Sequence, residues 1–227
     1  MSRIFHPYHR SSFYLFLFLL LIVLFPLIFY GYVGLAFRRL GFSPLQVIML
    51  LSSTLIGSFI NIPLFEVKSE EPVIIVREVK WYGIYFKVPS IEVQRTLVAV
   101  NLGGAVIPTL AAIYIIAKNI HMLYIMILAI VIVTSIIHLV AKPVKGLGIV
   151  TPIFLPPLSA AIIAILLSPM NPAPIAYVSG VLGALIGADL LNLDKISKLG
   201  SPMVSIGGAG TFDGIFLTGV LAVLLAW

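Results

Sequence analysis

The apolar positions of this chain fall in long unbroken runs, not in the short alternations of a soluble protein. The first run, 12–37, opens after Arg3 and Arg10 and closes on Arg38 and Arg39. A second, 43–65, begins with Ser43 and Pro44, a helix-start signal because proline at the first helical position loses no hydrogen bond. Further runs cover 96–117, 119–141, 149–168, 172–193 and 204–227. Crossing a bilayer takes about 20 residues at about 1.5 Å each, so every run predicts one transmembrane helix. The expected fold class is all-α: a polytopic transmembrane bundle of about seven spans, forming one integral membrane domain over 1–227. The first span is expected to kink near Pro26.

Residues 66–95 break this pattern with ten charged side chains, five Glu against five Lys or Arg. Within them, 72–79 and 81–88 are rich in β-branched and aromatic residues. Two such runs close together predict a small extramembranous β-hairpin. It either caps one mouth of the bundle or offers a strand edge to an extended peptide.

Composition sharpens the class. The chain is 61% hydrophobic and 10% charged, far below the roughly 25% charged residues of a soluble domain. The absence of cysteine excludes disulfides, a thiol nucleophile and thiolate metal sites. The net charge of +6 sits at the ends of apolar runs, which points to lipid headgroups and away from nucleic acid. The connections on the N-terminal side carry Arg3, Arg10, Lys142, Lys145, Lys195 and Lys198, against Arg38, Arg39 and Lys118 on the other. That excess predicts a multi-pass protein of the cell membrane with its N-terminus cytoplasmic and its C-terminus outside.

Two spans are interrupted. One carries Asn101, Gly103, Gly104 and Pro108; the other opens with Pro152, Pro156 and Pro157. Irregular backbone survives at membrane depth only where protein or a water-filled cavity satisfies it, so both segments are expected to face a site. Asn101, Pro156 and Pro157 are its expected walls.

Acidic residues are scarce outside the hairpin: Asp194, in a polar turn and expected to be solvated, and Asp189 and Asp213, inside apolar runs. A charged Asp at the centre of a membrane helix costs about 2.5–3.5 kcal/mol on insertion scales, which marks both as functional candidates. Asp189 near a span end reads equally as a hydrogen-bonding anchor. Asp213 lies behind Gly207, Gly208, Ala209 and Gly210, deep in its span. Two carboxyls at similar depth can share one proton, the arrangement of aspartic proteases, or can bind and release a proton or cation during transport. A non-catalytic scaffold is the third reading. No cofactor is implied. The chain has no His-Glu-x-x-His pattern and no phosphate-binding glycine loop, so neither a zinc site nor a nucleotide-driven pump is expected. His121 and His138 read as interfacial residues.

The stretches 185–193, 205–219, 100–108 and 152–157 resemble the shared segments of an uncharacterised prokaryotic polytopic membrane family. The chain is also remotely similar to the GxGD intramembrane aspartyl proteases, the presenilin and signal-peptide-peptidase class. Asp189 and Asp213 match the carboxylates of its sixth and seventh spans, and Gly208 and Gly210 match its glycine pair. This sequence departs from that class in placing Asp213 three residues beyond the second glycine and in having Ala188 where the class has an aromatic residue. The resemblance implies a catalytic pair, Asp189 and Asp213, acting on transmembrane peptides.

Overall fold

Ser43 starts the second helix by a reciprocal cap. Its Oγ accepts the Gln46 N–H at 3.3 Å, and Gln46 Oε1 accepts the Ser43 N–H at 2.8 Å. That helix, α2 (Pro44–Gly57), follows α1 (Tyr8–Arg39). The computed structural model describes residues 8–82, 84–145, 148–208 and 214–226.

The helix α2 stops well short of 65. The chain turns at Ser58 and runs as β1 (Asn61–Trp81), antiparallel to β2 (Ile84–Asn101). Pro63, which has no amide to give a ladder, sits where the register shifts between Pro63 and Phe65. The hairpin expected over 66–95 is therefore longer, and the apolar run from 96 begins as strand before it becomes helix. The same holds for the run from 204: Met203–Ile206 form β5, parallel to β2 with Leu97 opposite Met203 and Val100 opposite Ile206. A short apolar run rich in β-branched residues does not reveal by itself whether it is buried strand or helix. The sheet order is β1-β2-β5, and β3 (Lys142–Val144) pairs with β4 (Gly148–Val150) in a separate ribbon.

The rest is helical: α3 (Ile107–Lys118), α4 (Leu123–Val140), α5 (Leu155–Leu167), α6 (Pro172–Ala184) and α7 (Gly214–Leu225). The chain is thus mostly helical with a small sheet. Among the described residues, Ile120–Val140 and Pro172–Lys198 are long and apolar enough to cross a membrane. The helices Pro44–Gly57, Leu102–Lys118, Leu155–Leu167 and Gly214–Leu225 are apolar but shorter than the roughly 20 residues a full crossing needs.

Small residues place α6 at the centre. A β-carbon on Gly180 would touch Ala160 of α5 and both Thr218 and Ala222 of α7 at 3.4 Å. One on Gly183 would come within 2.7 Å of Val133 of α4. Helices approach this closely where one of them carries no bulk at the contact. Aromatic rings fill the other end: Phe37 of α1 lies edge-on to Tyr177 at 5.6 Å and stacks near Phe216 at 6.1 Å. All three are fully buried.

Two helices change winding. A π-helical turn, Leu102–Val106, leads into α3, and a second, Leu185–Asp189, extends α6 before a 3₁₀ stretch, Leu190–Lys198. The first depends on Gly103, where a β-carbon would collide with the Thr54 carbonyl oxygen and the Ser58 nitrogen of the α2 end. Gly103→Ala is expected to lower stability by about 1–3 kcal/mol, the usual cost of overpacking a closed contact. Gly34→Ala, at an open position inside α1, should instead raise stability by up to about 1 kcal/mol in the same thermal or denaturant unfolding measurement.

Candidate functional site

Where β2 ends, Asn101 is buried and makes three hydrogen bonds. Its Oδ1 accepts the Gly104 N–H at 2.7 Å, capping the first π-helical turn. Its Nδ2 donates to the Ser58 carbonyl at 2.7 Å and to Asn61 Oδ1 at 3.1 Å. Asn61 is the ladder partner of Asn101, and its Oδ1 also accepts the Ser205 hydroxyl at 2.6 Å. One asparagine thus ties α2, β1, β2 and, through Asn61, β5 together.

The strand β5 leads directly into the site. Gly207, the residue after it, has φ +82°, a left-handed conformation that favours glycine. A β-carbon there would lie 2.5 Å from that of Ala105, inside the first π-helical turn. The Gly207 N–H donates to Asp189 Oδ2 at 2.8 Å, and Asp189 is the last residue of the second π-helical turn. Both irregular turns therefore converge on one backbone amide.

The second turn is held from below by Asn192, which is fully buried and has non-helical backbone angles, φ −119° and ψ 15°. Its Nδ2 donates to the carbonyls of Gly187 at 3.0 Å and Ala188 at 2.8 Å and lies 3.3 Å from His138 Nδ1. Its Oδ1 accepts the Lys195 ammonium at 2.6 Å. Carbonyls that a change of winding frees are thus satisfied by a side chain immediately beside Asp189.

Asp189 lines a cavity of about 570 Å³. Asn61, Thr151, Ser205 and Thr218 add polar groups to its wall, and Pro156 adds an apolar one. Gly208 and Gly214, the described residues on either side of 209–213, both line it. Of the residues singled out from the sequence, Asp189, Gly208 and Pro156 thus lie on one cavity. Pro157 is buried in the first turn of α5 and is not among the lining residues. Asn101 stands behind the wall, where it holds Asn61. Asp213 and Gly210 lie outside the described residues. Asp194 is exposed. No group of three or more His, Cys, Asp or Glu suited to a metal occurs among the described residues.

Asn61, Ser205 and Asn192 were not singled out by sequence reasoning. Asn61 looked like one of several polar residues in a span, and Ser205 like part of a helix. Asn192 carried a signal, an amide three residues beyond an Asp in an apolar run, where a helix end needs a partner.

Removal of the Asn192 amide strands two buried carbonyls and a lysine. Asn192→Leu is expected to destabilise the protein by about 2–4 kcal/mol, and Ser205→Ala, which removes one donor, by about 1 kcal/mol, in thermal unfolding of the purified protein.

No curated protein and no solved structure matches the chain. A family model matches residues 55–225, which takes in both π-helical turns, β5 and every wall of the cavity. The chain belongs to the family described as protein of unknown function (DUF1614).

Proposed function

We propose that this is a polytopic membrane protein that hydrolyses peptide bonds within the bilayer, using Asp189 and Asp213 as its carboxyl pair. The membrane reading is supported by two helical stretches of spanning length and by α1, whose 32 residues reach about 48 Å. It is also supported by the outward faces of the bundle, where Tyr124, Leu139, Leu166 and Met170 are between 70% and 97% exposed. Large apolar side chains repeated around a surface fit lipid better than water. The distribution of Lys and Arg favours an N-terminus inside and a C-terminus outside.

One observation carries the catalytic reading. Asp189 is held by a backbone N–H in the wall of a cavity that Gly208 and Gly214 also line, and Asp213 precedes Gly214 in the chain. In a pair that shares one proton, the ionised carboxylate takes a proton from water as the water attacks the scissile carbonyl. The protonated partner gives its proton to the carbonyl oxygen; the tetrahedral intermediate then collapses with cleavage of its C–N bond, as the carboxyl that took the proton of water passes it to the leaving amine and the other carboxyl recovers its own. The Gly207 N–H would fix the orientation of the Asp189 carboxylate during both steps. A peptide substrate is favoured by β5: it is an edge strand of the sheet, and its four residues all line the cavity. An extended segment added to that edge would lie beside Asp189.

A second reading rests on a different observation. The irregular end of α6 borders a cavity whose wall combines a carboxylate with amide and hydroxyl oxygens, as in sites that bind coupling ions. On that reading Asp189 and Asp213 carry a proton or cation through a transport cycle.

Liposomes separate these readings. With a single-span reporter, the wild type should cleave, and Asp189→Asn and Asp213→Asn should each reduce cleavage by at least about a thousandfold, as loss of a catalytic group does. Cleavage that survives in both variants overturns the hydrolase. Proton flux without cleavage, lost in the same variants, would establish the transporter. Variants that change neither measurement would leave a membrane scaffold.

A further inference from the structure

Away from the Asp189 cavity, α1 and α2 form a groove of about 210 Å³, lined among others by Tyr30, Gly31, Gly34, Leu35 and Arg38 of α1 and Val47 of α2. Its shape comes from two glycines. A β-carbon built on Gly31 or Gly34 would meet nothing within 4 Å, so neither glycine admits another described part of this chain. They leave space on an outward face instead. The neighbouring side chains Tyr30, Tyr32 and Leu35 are exposed.

The groove has a polar end and an apolar end. Arg38 closes the apolar run of α1, which places its guanidinium at headgroup level. Tyr30 lies eight residues earlier, about 12 Å deeper along the helix axis. No carboxylate pairs with Arg38 among the described residues. The nearby Lys118, by contrast, is engaged: its ammonium donates to the Gly41 carbonyl at 3.1 Å and lies 4.8 Å from the centre of the Tyr114 ring.

We propose that this groove binds an anionic phospholipid. The phosphate sits on the Arg38 guanidinium, and the upper part of one acyl chain runs over Leu35, Gly34 and Gly31. A guanidinium presents paired donors that match two phosphate oxygens, whereas a narrow groove of about 210 Å³ running along α1 over two glycines suits a flexible alkyl chain better than a second helix. An anionic headgroup is favoured over a zwitterionic one because a choline would bring its own cation against Arg38. The inference rests on the membrane reading of the chain and is independent of the chemistry at Asp189.

The test uses the full-length protein in phosphatidylcholine nanodiscs that contain a minor fraction of phosphatidylglycerol. Retained lipid is counted by native mass spectrometry after gentle release. The wild type should retain phosphatidylglycerol in preference to phosphatidylcholine. Arg38→Gln should reduce that preference about five-fold, which is about 1 kcal/mol for one basic residue at an anionic surface. Gly34→Leu, which fills the groove and leaves the cation in place, should lower retention of both lipids. Equal retention of the two lipids by the wild type overturns the site, as does unchanged phosphatidylglycerol retention in either variant. If the protein leaves native membranes in alkaline carbonate without detergent, the membrane reading itself fails. A protein that stays in the bilayer without lipid preference removes only the groove.

Discussion

A helix that changes its winding inside a water-poor core frees carbonyls and amides that no solvent can satisfy, and each such group left alone costs several kcal/mol in hydrocarbon. The architecture of this protein depends on how two buried asparagines meet that constraint. Asn101 satisfies the amide of Gly104 and the carbonyl of Ser58 at the first π-helical turn. Asn192 satisfies the carbonyls of Gly187 and Ala188 at the second. Asparagine suits both places because a single side chain offers an acceptor and two donors.

The same two residues determine where the site lies. Asn101 anchors Asn61, which accepts from Ser205, so that β5 is held at its middle as well as by its pairing with β2. The residue after β5 is then delivered between the two irregular turns, with Ala105 on one side and the Asp189 carboxylate on the other. Only glycine meets both demands, a left-handed backbone and contact without a β-carbon. Asp189 is therefore part of the framework that builds the cavity as well as part of its lining. A substitution of such a residue alters the framework as well as the cavity wall, and measurements on it must separate the two.

The sheet enters the helical bundle at its irregular centre. β5 lies against β2 and leads into Gly207, which packs against Ala105 of the first π-helical turn and donates its N–H to Asp189 at the end of the second. Small residues on α6 allow α4, α5 and α7 to close around it, and the hairpin carries exposed ion pairs, Arg95 with Glu66 at 3.1 Å towards its base and Lys87 with Glu78 at 4.0 Å towards its tip. Exposed pairs of this kind add little stability, so the hairpin is held mainly by its ladder and by its base.

The apolar runs, the charged interruption at 66–95, and the prolines and glycines that mark irregular helix starts at 102–108 and 152–157 are properties of neighbouring residues. They were legible along the chain, and with them the mostly helical class, the hairpin and the standing of Asp189 as a candidate. The limits of the elements were not legible. Residues 96–101 and 203–206 are apolar enough for a span, yet they are strands, because each finds its ladder partner far away in sequence: Leu97 pairs with Met203. The partner of Asp189 was hidden for the same reason. A glycine amide has no sequence signature as a donor, and Gly207 becomes one only when parallel pairing of β2 with β5 carries it to the end of α6. Hydrophobic burial depends on composition, which a sequence displays; the meeting of one N–H with one carboxylate depends on register between distant strands, which tertiary structure alone decides.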